Sequence, residues 1–167
     1  MLSILYPDFY LDSVFEVDYC GLKKSGINLL LFDIDNTLMP FDIKHPAKEV
    51  INLISYVRGL GFKVILISNN YPKRVSLFNR ELNVPILPNA KKPLPFWVKK
   101  AVRAQNMELS ETAIIGDQVF TDVLCGNILK IVTILVKPIS ERDEFIVKMK
   151  RGAERLVNKR YLKKTGK

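Results

Sequence analysis

Short apolar runs alternate along the chain with segments in which apolar residues recur at helical spacing. The apolar runs predict buried strands, which we place at residues 28–32, 63–67, 84–87, 112–115 and 131–136. The helical spacing predicts helices at residues 46–60, 73–82, 95–105 and 121–129. Because strands and helices alternate, we expect an α/β fold in which a mostly parallel sheet is flanked by helices. Pro85 cannot donate a ladder hydrogen bond, so the strand that contains it is not expected at the centre of the sheet.

The two ends of the chain differ from this alternating middle. Residues 1–26 mix aromatic and acidic side chains, and we expect one or two short helices there that cover an edge of the sheet. From Arg142 onward, apolar and basic residues occupy different sides of a long helical pattern. We therefore divide the chain into one domain at residues 1–141 and a basic amphipathic helix at residues 142–167. No connection is long enough to hold a second, lid-like domain.

Length and composition indicate a globular domain inside the cell. The chain has 167 residues, of which 48% are hydrophobic, and this is enough to bury a sizeable core. The two cysteines, Cys20 and Cys125, lack metal-type spacing and fit small core residues in a reducing cytosol. No apolar run approaches the ~20 residues of a membrane span, and the N-terminus resembles neither a signal nor a transit peptide. We expect a cytoplasmic protein.

The positive charge is concentrated near the C-terminus. The formal net charge is +9, and residues 137–167 hold 11 Lys or Arg against 4 Asp or Glu. Such a segment favours an anionic surface, either lipid or nucleic acid. The predicted helix can be solvated or docked on the protein, lie peripherally on the inner face of the membrane, or contact nucleic acid. The lack of discrete RNA-binding motifs disfavours nucleic acid.

Two aspartates stand at the end of the first predicted strand. Asp33 and Asp35 are separated by one residue, so both side chains point in the same general direction if the chain stays extended. A divalent cation would relieve their mutual repulsion, and oxygen ligands of this kind suit Mg²⁺. The carboxyl ends of strands in open α/β sheets are also where ligands bind. The pattern predicts a metal-assisted reaction, with phosphate as the expected reacting group.

Further polar residues follow the other predicted strands and would converge with these aspartates at one crevice. Ser68 follows the second strand, Lys92 the third, and Asp117 with Asp122 the fourth. Ser68 can donate a hydrogen bond to a phosphate oxygen, and Lys92 or Lys91 can neutralise developing negative charge. Asp117 can complete the metal site, whereas Asp122 can bind the metal through water or orient other ligands.

The two aspartates also suit the two chemical roles that a phosphatase needs. Asp33 can be the nucleophile that forms an aspartyl-phosphate, provided that a metal and cationic donors offset its charge. Asp35 can act as general acid toward the leaving oxygen and then as general base toward the attacking water. Taken singly, each of these residues fits a helix cap or a turn, and only their joint occurrence favours an enzyme.

Four motifs, in order, resemble those of the haloacid dehalogenase (HAD) superfamily. They are Asp33-x-Asp35-x-Thr37, Ser68-Asn69-Asn70, Lys92-Pro93 and Gly116-Asp117-x-x-x-x-Asp122. With Tyr6-Pro7 and Ala90-Lys91-Lys92-Pro93, the chain resembles the capless subclass III phosphatases of the YqeG-type branch. That branch is similar to phosphatidylglycerophosphate phosphatases. The resemblance runs over nearly the whole chain, up to the basic tail.

The resemblance implies a Rossmann-like HAD fold without a large cap domain, dependence on Mg²⁺, and hydrolysis of a phosphomonoester through a phosphorylated Asp33. It implies that the metal is held by three residues, namely Asp33, Asp117 and the backbone carbonyl of Asp35. It also implies substrate contacts from neighbours of the catalytic residues, namely Thr37, Asn69 and Lys91. The Lys-Pro pairing favours Lys92 over Lys91 as the catalytic lysine.

The substrate expected from the branch is an anionic phospholipid, phosphatidylglycerophosphate, which would be converted to phosphatidylglycerol. An uncapped site can reach a large substrate held in a bilayer, whereas a cap would enclose a small one. Two alternatives stay open. One is a phosphatase of a soluble ester such as a nucleotide or sugar phosphate; the other is an RNA- or ribosome-associated binding factor that uses the basic tail.

Overall fold

Six strands form one parallel sheet in the computed structural model, which describes residues 2–140. The strands are β1 (Phe9–Leu11), β2 (Leu29–Asp33), β3 (Lys63–Ile67), β4 (Ile86–Leu87), β5 (Thr112–Gly116) and β6 (Val132–Val136). Their order across the sheet is β1-β6-β5-β2-β3-β4, and each neighbouring pair is parallel. The predicted α/β fold is confirmed. The helix predicted at residues 142–167 lies outside the described residues.

Helices flank the sheet on both faces. Within the described residues the α-helices are α1 (Tyr19–Lys24), α2 (Lys48–Gly59), α3 (Pro72–Phe78), α4 (Pro95–Ala104) and α5 (Leu124–Leu129). Proline occupies the first helical position of α3 and of α4, where its missing N–H costs nothing. A π-helical turn, Val119–Val123, leads into α5. None of the described helices has the length and apolar character that crossing a bilayer requires.

Strand β2 lies inside the sheet and is buried along its whole length. Its side chains alternate between two layers of core. Leu30 and Phe32 belong to the apolar cluster that includes residues of α2 and α3, whereas Leu29 and Leu31 belong to the cluster that includes residues of α4 and α5. A strand that is covered on both faces consists of consecutive apolar residues, and for this reason it could be predicted from the sequence. Asp33 ends this strand at the carboxyl edge of the sheet.

The N-terminal segment differs from the prediction, because it contributes a strand as well as helical turns. Residues Phe9–Leu11 pair with β6 in parallel, from Phe9 opposite Ile134 to Leu11 opposite Val136. The Asp8 carboxylate accepts a hydrogen bond from the backbone N–H of Thr133 at 2.8 Å, which fixes this register. This edge strand has only three residues, and they are partly exposed, so it is too short to be recognised as a buried apolar run. Its pairing with residues far along the chain is therefore not visible in local sequence.

The other predicted elements are present with shifted ends. The strand around Pro85 is reduced to Ile86–Leu87 and lies at the sheet edge, as its proline required. Both cysteines are free; Cys125 is buried as expected, but Cys20 is exposed. No connection between the described strands carries an inserted domain, the longest stretch without regular helix or strand being residues 34–47, between β2 and α2.

Candidate active site

A polar pocket of about 300 Å³ opens at the carboxyl edge of the sheet. Its lining residues follow β2, β3, β4 and β5, and they are Asp33, Asp35, Ser68, Asn69, Asn70, Lys92, Gln118 and Thr121. Four parallel strands deliver these side chains to one edge, as expected for an open α/β sheet. The predicted convergence of Asp33, Asp35, Ser68 and Lys92 is therefore observed.

Three buried carboxylates meet beside this pocket. One oxygen atom from each of Asp33, Asp117 and Asp122 lies within 4.8 Å of the others. The exposed fraction of these residues is only 2–6%. Carboxylates brought together out of water repel each other, so they need a compensating cation.

Lys92 supplies part of this compensation. Its ammonium group donates to Asp33 Oδ1 at 2.6 Å and to Asp122 Oδ1 at 2.5 Å. Burial by itself would lower the pKa of Lys92, but the carboxylates of Asp122 and Asp33 outweigh it and raise that pKa above its usual value. Lys91, by contrast, is exposed and does not line the pocket. Between the two lysines, only Lys92 faces the aspartates.

The carboxyl group of Asp33 is held in an environment that disfavours its charge. Burial raises the pKa of Asp33 to about 7, although the Lys92 ammonium opposes the shift. The nearby carboxylates of Asp122 and Asp35 contribute to this rise. The single positive charge of Lys92 therefore does not fully offset the negative charge of these buried carboxylates.

The donor set fits a divalent cation with a preference for oxygen. Asp33 and Asp117 offer carboxylate oxygens within 4.8 Å of each other, a spacing that one ion can bridge. A cluster made of carboxylates suits Mg²⁺ rather than a softer metal. Asp122 already accepts bonds from the Lys92 ammonium and, at 3.1 Å, from the backbone N–H of Gln118. Its carboxylate is therefore better placed to orient Lys92 than to bind an ion directly.

Asp35 also lines the pocket and is held by three donors. Arg74 donates to Asp35 Oδ1 at 3.1 Å. The Ser68 hydroxyl and the Asn70 amide donate to Asp35 Oδ2 at 3.2 and 3.4 Å. The side chain is one-fifth exposed, which leaves one side open to the pocket. Asp33 and Asp35 thus sit in different surroundings, one among buried acids and the other among donors.

Arg74 is a site residue that sequence reasoning missed. It belongs to α3, is only 7% exposed, and does not follow a strand end directly. Besides Asp35, its guanidinium donates to the carbonyl oxygens of Ile43 at 2.5 Å and of Phe41 and Lys44 at 3.4 Å. Its position in the helix could have indicated that it is buried. Arg74 lies four residues before buried Phe78, so it falls on the apolar side of α3.

Two predicted substrate-contacting residues have internal partners in this structure. The Thr37 side chain is buried, and its hydroxyl lies 3.3 Å from Asp33 Oδ2 and 3.2 Å from Asp117 Oδ1. The Asn69 amide pairs with the backbone of Lys92 in both directions, at 2.9 and 2.8 Å. Thr37 therefore connects two carboxylates, and Asn69 fixes the loop that presents Lys92.

A glycine makes room for the acidic group. A Cβ atom on Gly116 would overlap the carboxyl group of Asp122. Since Asp122 lies on the π-helical turn that follows β5, the strand end and this turn can approach closely only if residue 116 lacks a side chain. The Gly-Asp motif thus has a steric basis beside the chemical role of Asp117.

Comparisons with known proteins agree with this geometry. The family model described as HAD-hydrolase-like matches residues 89–156. The chain is 34% identical over 151 residues to a Bacillus subtilis protein named "Probable phosphatase YqeG", covering 90% of this chain and 88% of that protein. It is 27% identical over 160 residues to phosphatidylglycerophosphate phosphatase 1 (chloroplastic/mitochondrial) of Arabidopsis thaliana. That match covers 89% of this chain but only 45% of the plant protein.

The fold also matches solved structures. A predicted HAD-like family hydrolase from Porphyromonas gingivalis superposes with a TM-score of 0.55 at 12% sequence identity, over 74% of this chain and 98% of the other. An identity this low supports the architecture and carries no information on substrate.

Proposed function

This chain belongs to the HAD-type phosphatases, and we propose that it is a Mg²⁺-dependent phosphomonoester hydrolase whose substrate is phosphatidylglycerophosphate. The observation that carries the chemical part is the meeting of Asp33 with Lys92 and two further buried aspartates beside one polar pocket. The lipid substrate is supported by the relationship to phosphatidylglycerophosphate phosphatases at modest identity. We propose a cytoplasmic protein that works peripherally at the inner face of the membrane.

In the proposed reaction, Asp33 attacks the phosphorus atom and the bond from phosphorus to the leaving oxygen breaks. Asp35 donates a proton to that oxygen, so the product leaves as an alcohol. A water molecule, deprotonated by Asp35, then attacks the phosphorus of the aspartyl-phosphate. This step regenerates Asp33 and releases inorganic phosphate. Asp33 lies beside Lys92 and two further buried aspartates, whereas Asp35 lies beside Arg74 and Ser68, so the two carboxylates occupy different environments in one pocket.

The remaining residues of the pocket are proposed to bind and orient. Ser68 and Asn69 donate to phosphate oxygens, and Lys92 balances the charge that develops on the transferred group. Asp33, Asp117 and the backbone carbonyl of Asp35 would hold Mg²⁺, whose charge would offset the repulsion between Asp33 and an incoming phosphate.

Arg74 is proposed as a positioning residue, because it donates a hydrogen bond to Asp35 but does not line the pocket. Thr37 is also proposed as a positioning residue, since its hydroxyl contacts Asp33 and Asp117. Asp122 is proposed to position the Lys92 ammonium group. Lys91 remains a proposed substrate contact, because it precedes Lys92 directly and its exposed side chain is free to approach an anionic substrate.

The test is phosphate release from phosphatidylglycerophosphate in mixed micelles, beside soluble nucleotide and sugar phosphates, each with and without Mg²⁺. Asp33→Asn is the inactive control, and Asp12→Asn, at an exposed aspartate far from the pocket residues in the chain, is the matched control for the same substitution. Preference for the lipid that is lost in Asp33→Asn supports the proposal. Turnover of soluble esters alone would favour the soluble-ester alternative. No turnover at all would favour the RNA- or ribosome-associated binding factor.

A further inference from the structure

Exposed apolar side chains occur in three segments of the chain that adjoin residues of the active site. Among the described residues, twelve large hydrophobic side chains are exposed, and half of them lie in three segments, residues 41–44, 71–73 and 91–100. These side chains are Phe41, Ile43, Tyr71, Leu94, Phe96 and Trp97. We refer to the three segments as the rim. Large apolar groups gathered at one place on a surface indicate a contact with something outside the protein.

The rim flanks the pocket from both faces of the sheet. Segment 41–44 is tied to the site by Arg74, which donates to Asp35 and also to the carbonyl oxygens of Phe41, Ile43 and Lys44. Segment 71–73 follows pocket residue Asn70 directly. Segment 91–100 contains Lys92 and begins α4, which packs on the opposite face from α2 and α3. The pocket therefore opens between the parts of the rim.

The charge of the rim is positive. It carries five exposed lysines, namely Lys44, Lys73, Lys91, Lys99 and Lys100, whereas its one exposed acidic residue is Asp42. Lysines interspersed with aromatic and aliphatic side chains fit the boundary between anionic headgroups and acyl chains. Tryptophan and tyrosine are favoured at that boundary because each combines an apolar ring with a polar atom.

We infer that the rim docks on an anionic lipid bilayer and turns the pocket toward the headgroups. The choice of lipid rests on the proposed function, since a phosphatase of a membrane lipid must meet its substrate at this surface. A pocket of about 300 Å³ has room for a small polar headgroup, so the acyl chains of a lipid substrate remain outside, against the rim. Ile43 and Leu94 favour a bilayer over nucleic acid, because aliphatic groups gain nothing from stacking on bases.

Trp97 makes the inference directly testable. It is the single tryptophan of the chain, lies on the rim and is 38% exposed. The full chain carrying Asp33→Asn would be mixed with phosphatidylcholine vesicles that contain or lack phosphatidylglycerol, and the emission of Trp97 recorded. We expect a blue shift with the anionic vesicles, and quenching by bromine atoms placed near the headgroup end of the acyl chains. Vesicle binding that leaves the Trp97 emission unchanged would overturn the inference and assign membrane contact to another part of the chain.

A pair of substitutions tests the rim by binding rather than by fluorescence. Leu94→Ser with Phe96→Ser removes two apolar groups that are 61% and 65% exposed, and we expect vesicle affinity to fall at least about tenfold. Ile128→Ser is the matched control, because Ile128 is exposed near the end of α5, away from the pocket. Turnover of a soluble ester should be the same in all variants. Equal vesicle affinity of the rim and control variants would contradict the inference.

The outcomes separate this inference from the proposed function. Lipid hydrolysis in micelles with no response of Trp97 to vesicles would leave the proposed function standing and remove the rim as the docking surface. Docking of the rim with no hydrolysis of the lipid would support the rim as the docking surface and contradict the proposed lipid substrate. A Trp97 response to single-stranded RNA, with none to anionic vesicles, would overturn the inference in favour of nucleic acid.

Discussion

The Arg74 guanidinium donates a hydrogen bond to Asp35 Oδ1 at 3.1 Å, and both side chains are at least four-fifths buried. The same guanidinium donates to the carbonyl oxygen of Ile43 at 2.5 Å. Asp35 is thereby held between α3 and the loop that follows β2. A residue outside the pocket thus helps to fix the position of the proposed proton donor, together with the pocket residues Ser68 and Asn70.

Replacing Arg74 with Gln should lower kcat for alkyl phosphates by about 10–100-fold, because proton transfer contributes about 10²–10⁴-fold and depends on geometry. Aryl phosphates such as p-nitrophenyl phosphate have a better leaving group and should lose less. Steady-state kinetics on both ester types measures the difference. Arg80→Gln, at an exposed arginine just beyond α3, is the matched control. Equal losses on the two ester types would assign Arg74 a purely structural role.

The neighbouring lysines should differ sharply in importance. Lys92→Gln removes the donor to Asp33 and Asp122 and should reduce kcat by about 10²–10³-fold, the usual effect of losing one charge-stabilising group. Lys91→Gln changes an exposed side chain and should change kcat by less than about threefold. Both variants can be assayed on one soluble ester. A larger loss in Lys91→Gln would contradict the assignment of Lys92.

Gly116→Ala should impair the site without altering any charged residue. The new methyl group would overlap the Asp122 carboxyl group and displace it from Lys92 and from the N–H of Gln118. We expect half-maximal activity to require a higher Mg²⁺ concentration, and kcat to be lowered by at least about tenfold. Gly59→Ala is the control, because nothing lies within 4 Å of a Cβ atom at that position in α2. Normal kinetics in Gly116→Ala would show that Asp122 can move without consequence.

Metal-free stability should depend on pH through Asp33. Its pKa rises from 3.8 to about 7 on burial, so the folded state binds the proton more tightly than the unfolded state. The contribution of this group to stability is therefore fully present below pH 3.8 and is lost as the pH rises through about 7. The Asp33→Asn variant carries no charge at this position, so its stability should not fall with rising pH through this group.

Thermal melts in a chelator provide the measurement. Above neutral pH, Asp33→Asn should melt several degrees higher than the unmodified chain, since about 1 kcal/mol corresponds to about 2–4 °C at this size. Added Mg²⁺ should stabilise the unmodified chain more than the variant. The same pH dependence in both proteins would show that Asp33 is not the group responsible.

The fold was largely predictable because the central strands are buried on both faces. The run that ends at Asp33 is apolar without interruption, and the strand before Ser68 is similar, so both could be located from composition alone. Strand β1 was not predictable in this way. Its three residues are partly exposed at a sheet edge, and its place depends on pairing with β6 and on the contact between Asp8 and Thr133.

The candidate site was predictable where residues follow strand ends, since parallel strands bring their carboxyl ends to one edge. Asp33, Ser68 and Lys92 were found by this rule. Arg74 was not, because it reaches the site from the buried face of a helix. Spacing alone could not separate Lys91 from Lys92. The Lys-Pro pairing favoured Lys92, and in the structure it is the Lys92 side chain that points into the acidic cluster.

The most direct test of the account is to trap a phosphoryl group on Asp33. The Asp35→Asn variant should form the aspartyl-phosphate from p-nitrophenyl phosphate and Mg²⁺ but hydrolyse it slowly, because the general base is missing. Rapid acid quenching followed by mass spectrometry of the peptides locates the group. We predict one hydroxylamine-labile phosphoryl group on Asp33, and none when Asp33→Asn is also introduced. Continued phosphate release with no phosphoryl group on Asp33 would contradict it.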